Sequence, residues 1–496
     1  MSMTGSAGVG VIPDPPLRLR TKLAFGMGSA AETIALFSLG SYALLFYNQV
    51  LGLPAWMAGM ALSISLLFDG FSDPIIGSLS DRTKSRLGRR HPYMFAAPIP
   101  IGLCFFAIFN PPSGLSQGPL FIWFTGSVTG LRIAMGFFHT PHLALGGELS
   151  HDYTERSQVM AWNNFATWVG GSAISLIALT FFFKATPEYP RGLLNPAPYF
   201  PFAAFAAISA VLILLASAWF TRDQIARLPQ PPKDQVAFSP FEFMKDVTKV
   251  LSNRNYLWLL IAYFFLSLMT GIRDSLGLYM GTYYWGFTSE QLRFYTIGSF
   301  VGFLAALYFT PRFHALWDKK SIIIASAIGL TILPSSGVIL RMMGLMYQNG
   351  HSLLLPVQIA LSSVNYATGA ILSISVMSAL ADVADQNEVS FGVRQEGLLY
   401  STRALFSKID TAIGAALAGI VLTLISFPEH ARPDTIDPEV LTRLGWVNGP
   451  LAILPGLVAV IFYMKYSITK ADHAATRAEI SRQRSLALEV ELPAGQ

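Results

Sequence analysis

The sequence predicts an all-α membrane protein of twelve transmembrane helices in two six-helix pseudo-repeats. Three observations carry this reading. Only 13% of the 496 residues are Asp, Glu, Lys or Arg, and 52% are apolar, whereas soluble domains carry about 25% charged residues. The apolar residues fall in runs of the roughly 20 residues needed to cross a bilayer core. A basic loop containing Pro229, Pro231 and Pro232 divides these runs into two equal sets. Such a composition excludes a cytosolic enzyme, a nucleic-acid binder and a disordered chain as leading readings.

Residues 1–22 read as a cytoplasmic tail, in which Pro13, Pro15 and Pro16 precede Arg18, Arg20 and Lys22. The spans follow at about 23–47, 55–80, 92–109, 118–144, 160–183, 199–219, 256–285, 291–310, 321–345, 353–381, 398–426 and 446–466. In lipid the backbone must bond internally, and runs of this length are too long for barrel strands. The first bundle is thus 23–219, the central cytoplasmic loop 220–254, the second bundle 255–466 and the C-terminal cytoplasmic tail 467–496. About 24 of the 34 Lys and Arg lie on the side of both termini. The positive-inside rule makes that side cytoplasmic, in the inner (plasma) membrane. The single cysteine, Cys104, excludes an intramolecular disulfide.

A weak internal repeat supports the division. Ala144-Leu145 followed by Glu148, Asp152, Glu155 and Arg156 has a counterpart in Ala379-Leu380 followed by Asp382, Asp385 and Glu388. Gly77-x-x-x-Asp81-Arg82 has a degraded partner in Asp318-Lys319-Lys320. Parallel six-helix repeats are one signature of secondary transporters.

Charges within spans cost at least about 2.5–3.5 kcal/mol each and need a reason. Asp69 and Asp73, in Phe68-Asp69-Gly70-Phe71-Ser72-Asp73-Pro74, lie one helical turn apart on one face. With Ser72 they can surround a small cation, or one carboxylate can carry a proton. A salt bridge to Arg132, Arg273 or Lys408 is the structural alternative. Lys408 needs a carboxylate or a polar ligand, with Asp410 or Asp274 as packing partners. Candidate substrate residues are Lys408, His139, Asn164, Trp168, Arg273, Asn365, Tyr283 and Glu32. Amides beside flat rings suit a sugar, although Trp and Tyr also populate membrane interfaces.

The loop Asp81–Arg90, with Arg82, Gly88, Arg89 and Arg90, carries charges that can latch helix ends and acidic residues of the other repeat. Glu148, Asp152 and Glu155 are its candidate partners, and topogenic charge is the alternative. HExxH, GxSxG, P-loop and GxGxxG motifs are absent. An enzyme is therefore the least favoured class. No cofactor is expected, and transport draws on an ion gradient or runs downhill.

Gly77-x-x-x-Asp81-Arg82…Gly88-Arg89-Arg90 resembles the loop signature of the major facilitator superfamily. Asp69-x-x-x-Asp73-Pro74-x-x-Gly77 more narrowly resembles the glycoside–pentoside–hexuronide:cation symporters, the melibiose-carrier branch. So do the run from Pro141 through Glu148, Asp152 and Arg156, and the run Ala381-Asp382-Val383-x-Asp385-x-x-Glu388…Gly392-x-Arg394. The resemblance implies a major facilitator fold and alternating access driven by Na⁺, Li⁺ or H⁺. It implies a cation site at Asp69 and Asp73, where a transported Na⁺ would be the metal bound, and a role for Lys408 near sugar and cation. It also implies gate residues at Asp382, Asp385, Glu388 and Arg394. Ser72 stands where the melibiose carrier has an asparagine, and Gly136 where it has a cation-site threonine, which favours H⁺ over Na⁺. Its sugar-binding charges align with Ala30 (Glu32 is two residues on), His139 and Asn164, so a galactoside does not follow.

The expectation is a monomeric, cation-coupled (H⁺ or Na⁺) symporter of a small molecule, a sugar or glycoside, with the lipid bilayer as its other partner and no nucleic acid. A carrier of lysolipid-like amphiphiles or organic anions and a non-transporting receptor or scaffold are the alternatives.

Overall fold

The computed structural model describes residues 17–150, 152–228, 245, 247–248, 250–391 and 396–491. Arg394, most of the 220–254 loop and the outer parts of both tails lie outside the described residues. Among the described residues, twelve helices are long and apolar enough to cross a membrane. They are α1 (Leu19–Val50), α2 (Ala55–Arg82), α3 (His91–Ile108), α4 (Gln117–Glu148), α5 (Thr154–Phe182), α6 (Tyr199–Arg227), α7 (Arg254–Tyr284), α8 (Ser289–Leu316), α9 (Lys319–Met342), α10 (Leu354–Val389), α11 (Leu398–Leu424) and α12 (Pro438–Met464). Because the number is even, residues 19 and 464 share one end of the bundle, the near end. The opposite end is the far end.

Local chemistry sets where the helices start. The Asp152 carboxylate accepts from the Glu155 amide at 2.7 Å, and Asn253 accepts from Tyr256. Thr288 and Gln291 form a reciprocal cap, and Asp437 accepts from Glu439 ahead of Pro438. These side chains satisfy amides that a helix start leaves unpaired. The charged extension of α10 beyond the expected 353–381 is helical because its carboxylates are paired. Asp382 meets Lys319 at 2.7 Å, and Asp385 lies near His473 and Arg477. The latter two belong to α13 (Lys470–Glu491), which turns part of the expected C-terminal tail into a helix lying on α10.

The packing repeats. α1 packs on α5 and α6, α2 on α4, and α3 on α4 and α6. Likewise α7 packs on α11 and α12, α8 on α10, and α9 on α10 and α12. Across the two sets α2 runs along α11, and α5 meets α8. The ends of α1 and α7 repeat too. Each closes in a single π turn, Phe46–Val50 and Met280–Tyr284, followed by a glycine with positive φ: Gly52 at 74° and Gly286 at 66°. The amides of Leu53 and Phe287 then return to Tyr47 and Gly281, both at 2.8 Å. Only glycine takes that turn without strain.

α2 and α11 touch backbone to backbone. A Cβ on Gly59 would stand 2.6 Å from the Ala415 carbonyl oxygen and 3.1 Å from Gly419 Cα. Small residues let membrane helices approach this closely. Gly59→Val is therefore expected to destabilise the protein by about 1–3 kcal/mol through overpacking. Thermal unfolding in detergent checks this, and an unchanged midpoint contradicts the contact.

Candidate functional site

Asp69 and Asp73 on α2, His139 on α4, Glu32 on α1 and Lys408 on α11 lie roughly 9–13 residues from the near end, about 14–20 Å deep at 1.5 Å per residue. Lys408 enters from the second six helices and aims its ammonium between the two aspartates. Its Nζ donates to Asp73 Oδ2 at 2.5 Å, and it is 3.1 Å from Asp69 Oδ2 and 3.3 Å from the Asp69 carbonyl. Two of these contacts, to Asp73 Oδ2 and the Asp69 carbonyl, are hydrogen bonds, and the one to Asp69 Oδ2 is an ion pair. Arg132 Nη1 stands 3.7 Å from Asp69 Oδ2. The four side chains total two negative and two positive charges. The alternative partners proposed for Lys408 are elsewhere: Asp274 faces the central cavity, and Asp410 is fully buried.

Asp73 Oδ1 is buried and has no hydrogen-bond partner among the described residues. It lies against Gly136, where a Cβ would come within 2.9 Å of it. Ser72 donates to the Asp69 carbonyl at 3.2 Å, so its hydroxyl proton is committed to the helix.

A cavity of about 870 Å³ lies between the two sets of helices. Trp168, Arg132, Asp274, Tyr366 and Asn365 line it. Trp168 stacks on Phe303 of α8 with centroids 4.5 Å apart. Asn365 Oδ1 and Gln358 Nε2, both on this wall, have no partner among the described residues. Arg132 belongs to both places, touching the cavity and the aspartate pair.

Several expected substrate residues are engaged in other work. Arg273 donates to the Leu330 carbonyl at 3.2 Å, to Thr331 O at 3.2 Å and to Ser335 at 2.5 Å. Pro334 lacks the amide that would bond Leu330 O, so Arg273 mends the break in α9. Tyr283 is buried at the far end, donating to Gln49 Oε1 at 3.0 Å and the Ala431 carbonyl at 3.1 Å. Gln49 also donates to Pro428 O and accepts from the Ala431 amide. Gln49 and Tyr283 occupy matching positions of the two π turns, so the far end is joined across the halves by a pseudo-symmetric pair. Asn164 is exposed and Asn163 bonds Ser29. Glu32 is buried behind a half-exposed His139.

Arg89 and Arg90 of the basic loop pair with Glu148, one of the expected partners, which lies in the same half rather than in the other repeat. Arg90 Nη2 is 2.6 Å from Glu148 Oε1 and 2.5 Å from Asp81, and Arg89 reaches Glu148 at 2.9 Å. Gly88 takes a left-handed φ of 71° within this loop. Glu155 instead binds Lys22, and Asp152 caps α5. Lys319 and Asp382 repeat the arrangement in the second half. His142, Gln49, Gln358 and Tyr366 are absent from the sequence-based candidates. Gln49, Gln358 and Tyr366 are neutral residues inside apolar runs and give no charge pattern to find, and His142 is tied to the site only through Glu32 of another helix.

A family model described as "MFS/sugar transport protein" matches residues 24–470. An uncharacterized symporter of Synechocystis sp. is 26% identical, covering 94% of this chain and 97% of that protein. The putative glycoside/cation symporter YagG of Escherichia coli (strain K12) is 25% identical, covering 95% and 96%. A solved bacterial homologue of the human drug peptide transporters PepT1 and PepT2 superposes with a TM-score of 0.61 at 13% identity, covering 93% and 99%.

Proposed function

The chain belongs to the MFS/sugar transport protein family, a family of membrane transporters and not of enzymes, and from that premise we propose that it is a cation-coupled symporter of a sugar or glycoside. The observation that carries this reading is the Lys408 ammonium held between Asp69 and Asp73, across the line where the two halves meet. It stands where a coupling cation would bind. A proton on Asp73, or Na⁺ among the carboxylates, takes over the charge that Lys408 supplies and breaks an inter-half tie. A unit charge pair near 4 Å at an effective dielectric constant of about 20 is worth about 4 kcal/mol, roughly a thousandfold in a two-state equilibrium. An ion can shift the conformations only by such a difference in affinity.

H⁺ is the favoured ion. Gly136 contributes no oxygen beside Asp73, and the Ser72 proton is bound to the backbone. Flat rings, and amides without a partner among the described residues, fit a polyhydroxyl solute on the cavity wall. Arg132 passes the charge state of the aspartate pair to that wall. The near end faces the cytoplasm, and the chain resides in the inner membrane. The far-end seal at Gln49 and Tyr283 closes the periplasmic path, and rocking of the halves about the ion site opens it.

Uptake by proteoliposomes tests the proposal with a panel of glycosides, lysolipids and organic acids under imposed H⁺ or Na⁺ gradients. Accumulation of a glycoside, greater under H⁺, is expected. Accumulation of only a lysolipid or an organic acid overturns the substrate class, and no gradient-driven flux of any compound overturns the symporter reading.

A further inference from the structure

Beside the aspartate pair lies a second cluster of titratable groups that transport by Asp69 and Asp73 does not use. Glu32 on α1 is 5% exposed. Its Oε2 is 2.7 Å from His139 Nδ1, and its Oε1 is 3.4 Å from His142 Nδ1. Oε1 has no hydrogen-bond partner among the described residues. The other nitrogen of His142, Nε2, is 2.9 Å from the Phe25 carbonyl oxygen. The ring is fixed there. It stacks on Phe25 with centroids 4.3 Å apart, and Gly28 leaves room for it, since a Cβ would stand 2.6 Å from Nε2.

The bonding determines a proton count. A carbonyl oxygen only accepts, so His142 Nε2 carries a proton. If His142 is neutral and Glu32 ionised, Nδ1 and Oε1 oppose two lone pairs in a buried site, an arrangement that burial makes costly. One further proton, on Nδ1 or on Oε1, turns that contact into an attraction. The Glu32–His139 bond is satisfied in either case. With His139 neutral, the cluster carries no net charge when that proton is bound and −1 when it is not.

We propose that Glu32, His139 and His142 form a second cation site, selective for H⁺, which binds one proton between Glu32 and His142. His139, whose side chain is 46% exposed, connects it to accessible space. The charged groups facing His139 are Glu32 on α1, Asp73 on α2 and Lys408 on α11. Those facing Glu32 are the two histidines. α5 and α6 present neutral groups here, Asn163 bonded to Ser29 and Ser217 beside Gly28. His139 lies one turn along α4 from Gly136, which touches Asp73. The two sites therefore adjoin but do not share a side chain.

The test uses the full chain in lipid nanodiscs, in buffer free of Na⁺ and substrate near neutral pH, so its outcome is independent of the transport reading. The ¹⁵N resonances assigned to His142 identify a doubly protonated ring there, and the infrared difference between wild type and Glu32→Gln identifies a protonated Glu32 carboxyl. The proposal predicts one of these two signatures in the wild type. Glu32→Gln must remove it, and His142→Gln, which keeps the carboxylate, must remove it too. A wild type with neither signature overturns the proposal, as does a signature that persists in either folded variant.

Discussion

Lys408→Met is expected to lose stability in neutral, cation-free buffer and to regain it when Na⁺ or Li⁺ is added or the pH falls. The change removes the ammonium that two carboxylates share and leaves them with Arg132, which is 3.7 Å from Asp69 alone. Removing one partner of a buried ion pair costs about 3–5 kcal/mol. Lys408 is about a quarter exposed, which places the loss toward the lower value. An added cation binds the native site and not the unfolded chain, and at about 100 times its dissociation constant it restores about 2.7 kcal/mol. Protons act with the same sign. A proton on one carboxylate of the variant removes a negative charge that Lys408 no longer balances. The wild type, with Lys408 in place, responds less to either addition. Thermal unfolding of both proteins across cation and pH series measures this. A variant no more responsive than the wild type contradicts the placement of Lys408 in an ion site.

Glu148→Ala is the second large effect. Glu148 Oε1 receives Arg90 at 2.6 Å and Arg89 at 2.9 Å, in a setting where Arg90 is 5% exposed. Asp81 remains as a partner for Arg90, but nothing replaces Glu148 for Arg89 at this contact. A loss of about 3–5 kcal/mol is expected. Arg90→Ala in the same background should recover part of it, because contacting groups couple by about 0.5–3 kcal/mol. Denaturant unfolding of the single and double variants reads the coupling. Additive losses contradict the pairing.

Much of the fold was legible because membrane spans are written in runs of composition. The sharp Asp69-x-x-x-Asp73-Pro74 pattern and a lysine deep in an apolar run marked the proposed ion site for the same reason: charge at that depth is rare. The partner of Lys408 was not legible. Asp69, Asp73, Asp274 and Asp410 are all admissible from sequence, and the choice depends on α2 lying along α11. That contact depends in turn on Gly59 and Gly419, which in a sequence are two glycines among 41. Arg273 reads as a ligand until Pro334, 61 positions on, is seen to free the carbonyl it binds. Gln49 and Tyr283 carry no charge, and the match between Gly52 and Gly286 shows only once both turns are seen in the fold. His142 lies about one turn from His139 on the same helix, but Glu32, the carboxylate both rings face, is on α1, more than 100 positions away in the sequence.

The most direct test of the ion site compares Asp73→Asn with the wild type in proteoliposomes, using a glycoside found by the uptake panel. Accumulation against a gradient and equilibrium exchange of that solute are measured side by side. Asp73→Asn is predicted to abolish accumulation while exchange persists, because the solute still binds and the halves still move, but the ion no longer drives them. Accumulation at the wild-type level in both Asp69→Asn and Asp73→Asn would contradict the account.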